Sequence, residues 1–136
     1  IGEMVMRFEE ETGIATYFQN ECGEVILSPA QEIQVFRIIQ EALANVRKHS
    51  DAHTARILLR SEDGDIYQLL IEDDGLGMTP VTSSARGEHV GITIMRERAD
   101  RLSGTLQIES DAGEGTRVNL TFAASASDLP QAAGGQ

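Results

Sequence analysis

Ser28-Pro29-Ala30-Gln31 opens the segment that most restricts how this chain can fold. Ser28 can cap a helix, Pro29 suits the first helical position because its missing N–H would lack a partner there anyway, and Gln31 completes a capping-box spacing. Behind it, Ile33, Phe36, Ile39, Leu43 and Val46 predict an apolar face, and Ser50-Asp51 predicts the end of a long helix. Such a helix needs a surface to lie on, and the rest of the chain supplies mostly strands.

Ahead of the helix, Met4, Phe8 and Glu11 sit at helical spacing and Gly13 follows as a stop, so residues 3 to 11 read as a short helix. "IATYFQNE" is rich in β-formers and reads as a strand. After the long helix, "TARILLRS" and "DIYQLLIED" read as two strands joined by "EDGD", whose Asp-Gly pair signals a hairpin. "DDGLGMTPVTSSARGEH" is a Gly-, Ser- and Thr-rich loop, longer than most connections inside a compact domain and therefore a candidate for function. A second helix from about Gly91 to Leu102 carries Ile94, Met95, Ala99 and Leu102 on its inner face, and Ser103-Gly104 ends it. "TLQIES" and "TRVNLTF" form a last hairpin across "DAGEG".

This order predicts an α+β fold: a two-layer sandwich with a mixed, mostly antiparallel sheet and helices on one face. With 136 residues and no Trp, the chain holds one modest core, so a single domain is expected over residues 1–122, with a flexible C-terminal tail over 123–136. The opening Ile1 and the tail "AASASDLPQAAGGQ" suggest part of a longer protein. No apolar run approaches the roughly 20 residues that span a bilayer, and no charged-then-apolar leader opens the chain, so no membrane insertion is expected of these residues. A formal charge of −11 argues against a nonspecific nucleic-acid binder. The lone Cys22 excludes an internal disulfide.

Four stretches could carry chemistry. In "QEALANVRKH", Glu41, Asn45 and His49 recur one turn apart with Lys48 beside them. That stripe fits a solvated helix face; yet Asn is a mediocre helix former, and carboxylate and amide oxygens near an ammonium could hold Mg²⁺ and polyphosphate. In "IEDDGLGM", Asp73 precedes Gly75 and Gly77 at a strand end, which fits either a solvated turn or close backbone approach to a ligand. Gly87 to Gly91 precede the second helix, where free N–H groups would form an anion site. Gly113, Gly115 and Thr116 lie in a hairpin turn. Neither the phosphate loop G-x-x-x-x-G-K-[ST] nor G-x-G-x-x-G after a first strand is present.

Together and in order, these stretches resemble the ATP-binding domain shared by gyrase B, the Hsp90 chaperones, MutL and the sensor histidine kinases. "EALANVRKH" resembles its N box, "DDGLG" its first glycine box, "HVGI" a second one and "GEGT" the glycine–threonine segment. "IIQEALANVRKHS" and "GITIMRERADRLSGTLQIES" are similar to the histidine-kinase class that includes the nitrate/nitrite sensors and the DesK thermosensor. One departure is His89, which stands where the second box often has Gly.

The resemblance implies the Bergerat ATP-binding fold and the following roles. Asn45 would ligate Mg²⁺, Glu41 would orient a water or the metal shell as a catalytic partner, and Lys48 and His49 would face the phosphates. Asp73 would accept from the adenine amino group, Gly75 and Gly77 would shape the turn beneath the base, and Ile71, Met78, Ile94 and Met95 would wall it. Gly87, His89, Gly91 and Ile92 would belong to the phosphate-side box, and Thr116 would reach the base through its hydroxyl. Residues 76–90 would form a lid. The resemblance further implies phosphoryl transfer from MgATP to a His on a helical dimerisation domain, absent here because His49, His53 and His89 lack its context. A response regulator as relay partner, a homodimer, and a cytoplasmic domain of a protein anchored in the bacterial inner membrane are also implied. Other members of the group leave alternatives: an ATP hydrolase in which Glu41 activates water, a Ser kinase of the anti-sigma-factor type, or a degenerate fold kept as an interaction module.

Overall fold

A computed structural model describes residues 1–22, 27–48, 52–62, 65–75, 86–111 and 115–123, with backbone alone for 62, 86–90 and 111. The elements are α1 (Gly2–Thr12), β1 (Ala15–Asn20), α2 (Pro29–Lys48), β2 (Thr54–Glu62), β3 (Ile66–Asp73), α3 (Arg86–Arg101), β4 (Thr105–Asp111) and β5 (Gly115–Ala123). The strands form one sheet in the order β1-β2-β3-β5-β4. β1 runs parallel to β2, with α2 as the crossover between them, and every other pair is antiparallel. Both hairpins expected from the turn residues pair as hairpins, β2 with β3 and β4 with β5.

Local chemistry sets the boundaries. Gly13 ends α1 in the left-handed region at φ 76°, and its N–H reaches the Glu9 carbonyl at 2.9 Å. At the start of α2 the Gln31 N–H donates to Ser28 Oγ at 3.1 Å and the Ser28 N–H to Gln31 Oε1 at 3.4 Å, a reciprocal capping box. The Gln31 amide also donates to the Ala123 carbonyl at 3.0 Å, pinning the helix start to the end of β5. α3 closes with the Gly104 N–H on the Ala99 carbonyl and the Ser103 N–H on that of Asp100, both at 2.9 Å. That is a Schellman motif, with Ser103 in the left-handed position at φ 53°. Gly104 then passes so close to β5 that a Cβ there would lie 2.7 Å from the Thr121 carbonyl oxygen.

All three helices contribute to the cluster against one sheet face: Val5 from α1; Val35, Ile38, Ile39, Ala42 and Leu43 from α2; Met95, Ala99 and Leu102 from α3. Their partners include Ile57 and Leu59 on β2, Tyr67, Leu69 and Ile71 on β3, and Val118, Leu120 and Phe122 on β5. The other sheet face is mostly polar, with Leu58, Leu70 and Ile66 among its apolar members. Arg56, Glu72, Arg117 and Glu109 stand opposite one another on β2, β3, β5 and β4, a row of alternating charge in which each neighbouring pair is bridged. Burial pushes the Glu72 carboxyl up, but hydrogen bonds from Arg56 and Arg117 outweigh it and hold the group below the ordinary Glu range.

Two expectations are corrected. Ile33 is 61% exposed and Phe36 42%, so neither belongs to the buried face of α2. Steps of three residues retreat about 60° around a helix each time, and the series 33, 36, 39 walks off the buried arc centred on Val35, Ile38, Ile39, Ala42 and Val46. α3 starts at Arg86 rather than Gly91, so Gly87, His89 and Gly91 lie on the helix instead of in a loop before it. Ser50-Asp51, the Asp63-Gly64 pair and residues 124–136 of the expected tail lie outside the described residues.

Candidate functional site

Side chains on a strand alternate between faces, so each buried row has a predictable last member. On β3 the inner row Tyr67, Leu69, Ile71 ends at Asp73; on β5 the row Phe122, Leu120, Val118 ends at Thr116. Both polar residues thus arrive at the same end of the sheet, on the face the helices cover. Asn45 comes down from α2 to meet them and is only 8% exposed. The three line one cavity, walled by Ile71, Met95, Ile108 and Val118. Its enclosed part is about 10 Å³, room for one water. Convergent polar groups at an apolar-walled recess suit the polar edge of a flat heterocycle, whose ring is larger than the enclosed part itself.

The carboxylate of Asp73 is aimed by its surroundings. Its Oδ1 accepts the Gly75 N–H at 2.8 Å, closing the turn that leaves β3. Next in sequence, Asp74 does a different job. Asp74 Oδ1 accepts the N–H groups of His53 and Thr54 at 2.8 and 2.9 Å, and Oδ2 accepts the Thr54 hydroxyl at 2.8 Å. These bonds, the Thr54 N–H first, hold the Asp74 carboxyl below the ordinary Asp range. A depressed folded-state pKa means stability that is present above the unfolded value of about 3.9 and lost as pH falls through the folded one. Asp74→Ala is therefore expected to cost about 1–2 kcal/mol at pH 7, solvent exposure keeping each bond modest. Urea unfolding of both proteins between pH 7 and 3 checks it; the difference should shrink below about pH 4.

Gly115 supplies the floor. It starts β5 at φ 89°, and a Cβ there would lie 2.1 Å from the Asp73 carbonyl oxygen. Gly91 does the same between helices. A Cβ on it would meet Asn45 Oδ1 and Glu41 Oε1, each at 3.3 Å, so the two oxygens face one small gap against α3. Glu41 Oε2 is also held by Arg37 Nη2 at 3.4 Å. A carboxylate and an amide oxygen facing one position are the hard donor type that Mg²⁺ takes, one or two from protein with water or phosphate for the rest. Among the described residues no group of three His, Cys, Asp or Glu forms an all-protein metal cage.

Of the residues singled out in the sequence, Asn45, Asp73, Gly75, Gly91 and Thr116 gather here, with Glu41 beside Gly91. The stripe on α2 points inward at Asn45, which removes the solvated-face reading for that residue. Lys48 is exposed and lines a separate hollow between α1 and α2 with Arg7 and Glu11. Ile92 is half-buried against the main core. The Gly91 N–H, six residues into α3, is engaged in the helix ladder, so this glycine contributes close approach instead of a free donor. For Gly87 and His89 only the helical backbone is described; His49, Gly77, Met78 and loop residues 76–85 lie outside the described residues. Sequence reasoning missed Asp74, whose partners His53 and Thr54 lie 21 and 20 residues earlier in the chain. It also missed Ile108, whose place follows only from the β4–β5 register. A larger hollow among the described residues, about 1070 Å³ beside Phe18, Ile33 and Phe36, contains none of the converging groups; chemistry, not size, locates the candidate site.

The fold is the α+β sandwich of the Bergerat type, and the site lies where its sheet and helices close on Asn45, Asp73 and Thr116. A family model described as "Histidine kinase-, DNA gyrase B-, and HSP90-like ATPase" matches residues 30–126, and the chain belongs to that family. The chain is 36% identical over 113 residues to the signal transduction histidine-protein kinase/phosphatase UhpB of Salmonella typhimurium, covering 83% of this chain and 21% of that protein. It is 31% identical over 121 residues to the nitrate/nitrite sensor protein NarQ of Escherichia coli, covering 88% and 21%. The chain thus spans about a fifth of the length of these relatives. Among solved structures, the histidine kinase domain of the blue-light activated histidine kinase of Erythrobacter litoralis superposes with a TM-score of 0.71 at 22% identity, covering 91% of this chain and 59% of that one. Neither curated relative is of the gyrase or chaperone type.

Proposed function

We propose that this chain is the ATP-binding catalytic domain of a two-component sensor histidine kinase, and that it presents MgATP to a His on a helical dimerisation domain elsewhere in the protein. The observation that carries this reading is the convergence of Asn45, Asp73 and Thr116 on one apolar-walled cavity, with Glu41 and Asn45 sharing the gap at Gly91.

Asp73 accepts from the exocyclic amino group of adenine, a contact that guanine, with an oxygen there, cannot make. Ile71 and Met95 form the apolar surround of the recess that this edge of the base meets. Asn45 offers its side-chain oxygen, and Glu41, already oriented by Arg37, holds a water or completes the metal shell. Mg²⁺, when bound with the nucleotide, would neutralise charge on the phosphate oxygens. The chain's own part in transfer is binding, orientation and exclusion of water. The phosphoryl group then passes to the His and on to a response regulator, and the whole protein works as a homodimer anchored in the bacterial inner membrane. The catalytic unit includes all of β5, through Ala123.

Calorimetric titration with ATP in Mg²⁺ and then in EDTA tests this. Wild type should bind ATP more tightly with Mg²⁺, whereas Asn45→Ala should lose most of that difference, about tenfold, and keep its metal-free affinity. Absence of ATP binding by the wild type under both conditions would sink the reading.

A further inference from the structure

Arg37, Glu41 and Asn45 follow one another at steps of four along α2 and so share one stripe of the helix. The two oxygens of Glu41 have different surroundings. Oε2 lies 3.4 Å from Arg37 Nη2, whereas Oε1 lies, like Asn45 Oδ1, 3.3 Å from the point that a Cβ on Gly91 would occupy. Glu41 is the more enclosed partner, its side chain 18% exposed against 42% for Arg37. The Arg37 Nε is buried and has no hydrogen-bond acceptor among the described residues, so Glu41 is the only group seen to hold this guanidinium. The polarity of the contact is fixed by chemistry, because a guanidinium only donates and a carboxylate only accepts.

Small and large divalent ions ask different things of a carboxylate. Mg²⁺ demands near-octahedral geometry with few protein oxygens, whereas Ca²⁺ takes about six to eight oxygens in looser geometry and accepts a carboxylate through both of its own. With Oε2 engaged by Arg37, Glu41 has one oxygen left for the Gly91 side. We propose that Arg37 is a positioning residue that sets metal preference: by occupying Oε2 it confines Glu41 to one-oxygen coordination, which suits Mg²⁺ and withholds a two-oxygen grip from Ca²⁺. A partly exposed pair one turn apart contributes little to stability, so orientation is its larger effect. The inference rests on the MgATP reading above and adds what selects the ion.

The test is calorimetric titration of ATP at saturating Mg²⁺, at saturating Ca²⁺ and in EDTA. Wild type should bind ATP more tightly with Mg²⁺ than with Ca²⁺, and Arg37→Met should narrow that ratio about fivefold, chiefly by strengthening the Ca²⁺ arm. Loss of positive charge alone acts on both divalent ions alike and leaves the ratio where it was. Arg37→Lys keeps a cation one turn before Glu41 and should restore most of the preference. In a Glu41→Ala background, Arg37→Met should move the ratio by less than about twofold. Urea midpoints show whether each variant folds as wild type does, and Arg37→Gln replaces the Met variant if that one does not. An unchanged ratio in the folded Arg37 variant, an equal narrowing without Glu41, or a wild type that does not distinguish the two ions would overturn the proposal and leave metal-dependent ATP binding standing. A wild type that binds no ATP, or binds it equally well in EDTA, would overturn the MgATP reading as well.

Discussion

Gly115→Ala is expected to lower the unfolding free energy by about 3 kcal/mol or more and to remove ATP binding in whatever fraction remains folded. Two costs add. A β-carbon in the left-handed region costs about 1–2 kcal/mol, and Gly115 sits at φ 89°. The new methyl would also overlap the Asp73 carbonyl oxygen at 2.1 Å, and that atom is strand backbone, with no rotamer to escape into. Forcing the strands apart belongs with overpacking, at about 1–3 kcal/mol or more. The reduced entropy of the unfolded chain gives back only about 0.4–1 kcal/mol. The binding loss is separate from the stability loss, because the displaced atom belongs to the residue whose carboxylate faces the cavity. Urea unfolding and ATP titration of the same preparation measure both; a variant within about 1 kcal/mol of wild type that still binds ATP would refute the claim.

Asp73→Asn should have the opposite profile: little change in stability and a loss of about a hundredfold or more in ATP affinity. Asn keeps the shape, and its oxygen can still accept the Gly75 N–H, so the turn survives. What it cannot do is offer acceptors alone. With the amide oxygen on Gly75, the NH₂ group faces the adenine amino group, donor against donor beside the apolar walls of Ile71, Met95 and Val118. A charge-assisted hydrogen bond contributes about 1.5–3 kcal/mol, and leaving a buried donor unmatched adds to its loss. Purine riboside triphosphate, which lacks the amino group, provides the internal control: its weaker binding should be nearly the same for both proteins. Asp73→Asn that retains ATP affinity within about threefold would mean that the base does not meet this carboxylate.

Much of this was legible in the chain because local rules and tertiary structure agree there. The Ser28–Gln31 capping box, the Gly13 stop, the two hairpins and the Asp73 position at a strand end all follow from chemistry within a few residues. The misreadings share a different origin. Taking Ile33 and Phe36 as core followed a spacing of three that drifts around the helix, and only the sheet beneath α2 decides which arc is buried. Placing the start of the second helix at Gly91 treated glycine as a breaker, although a glycine inside a helix costs only about 1 kcal/mol against Ala and here lets α3 approach Glu41 and Asn45. Gly115 looked like an ordinary turn glycine because its neighbour, the Asp73 carbonyl, lies 42 residues earlier in the chain. Asp74 and Ile108 escaped for the same reason: the partners of Asp74 lie at the start of β2 and Ile108 pairs with β5, and register across strands is invisible in a single segment.

The one parallel pair has a consequence for how the molecule comes together. Residues paired between β1 and β2 are 39 apart in sequence, as in Ala15 with Thr54, while β2 meets β3 and β4 meets β5 across turns of a few residues. Short closures are entropically cheap and long ones are not, so the two hairpins can form before β1 finds its edge. The cavity draws its strand residues from β3, β4 and β5 and its helical ones from α2 and α3, none from β1. Fraying of the α1–β1 margin, the natural low-energy opening of this sheet, therefore leaves the base-facing residues assembled. Transient local unfolding and occupancy of the site are in this way uncoupled by topology.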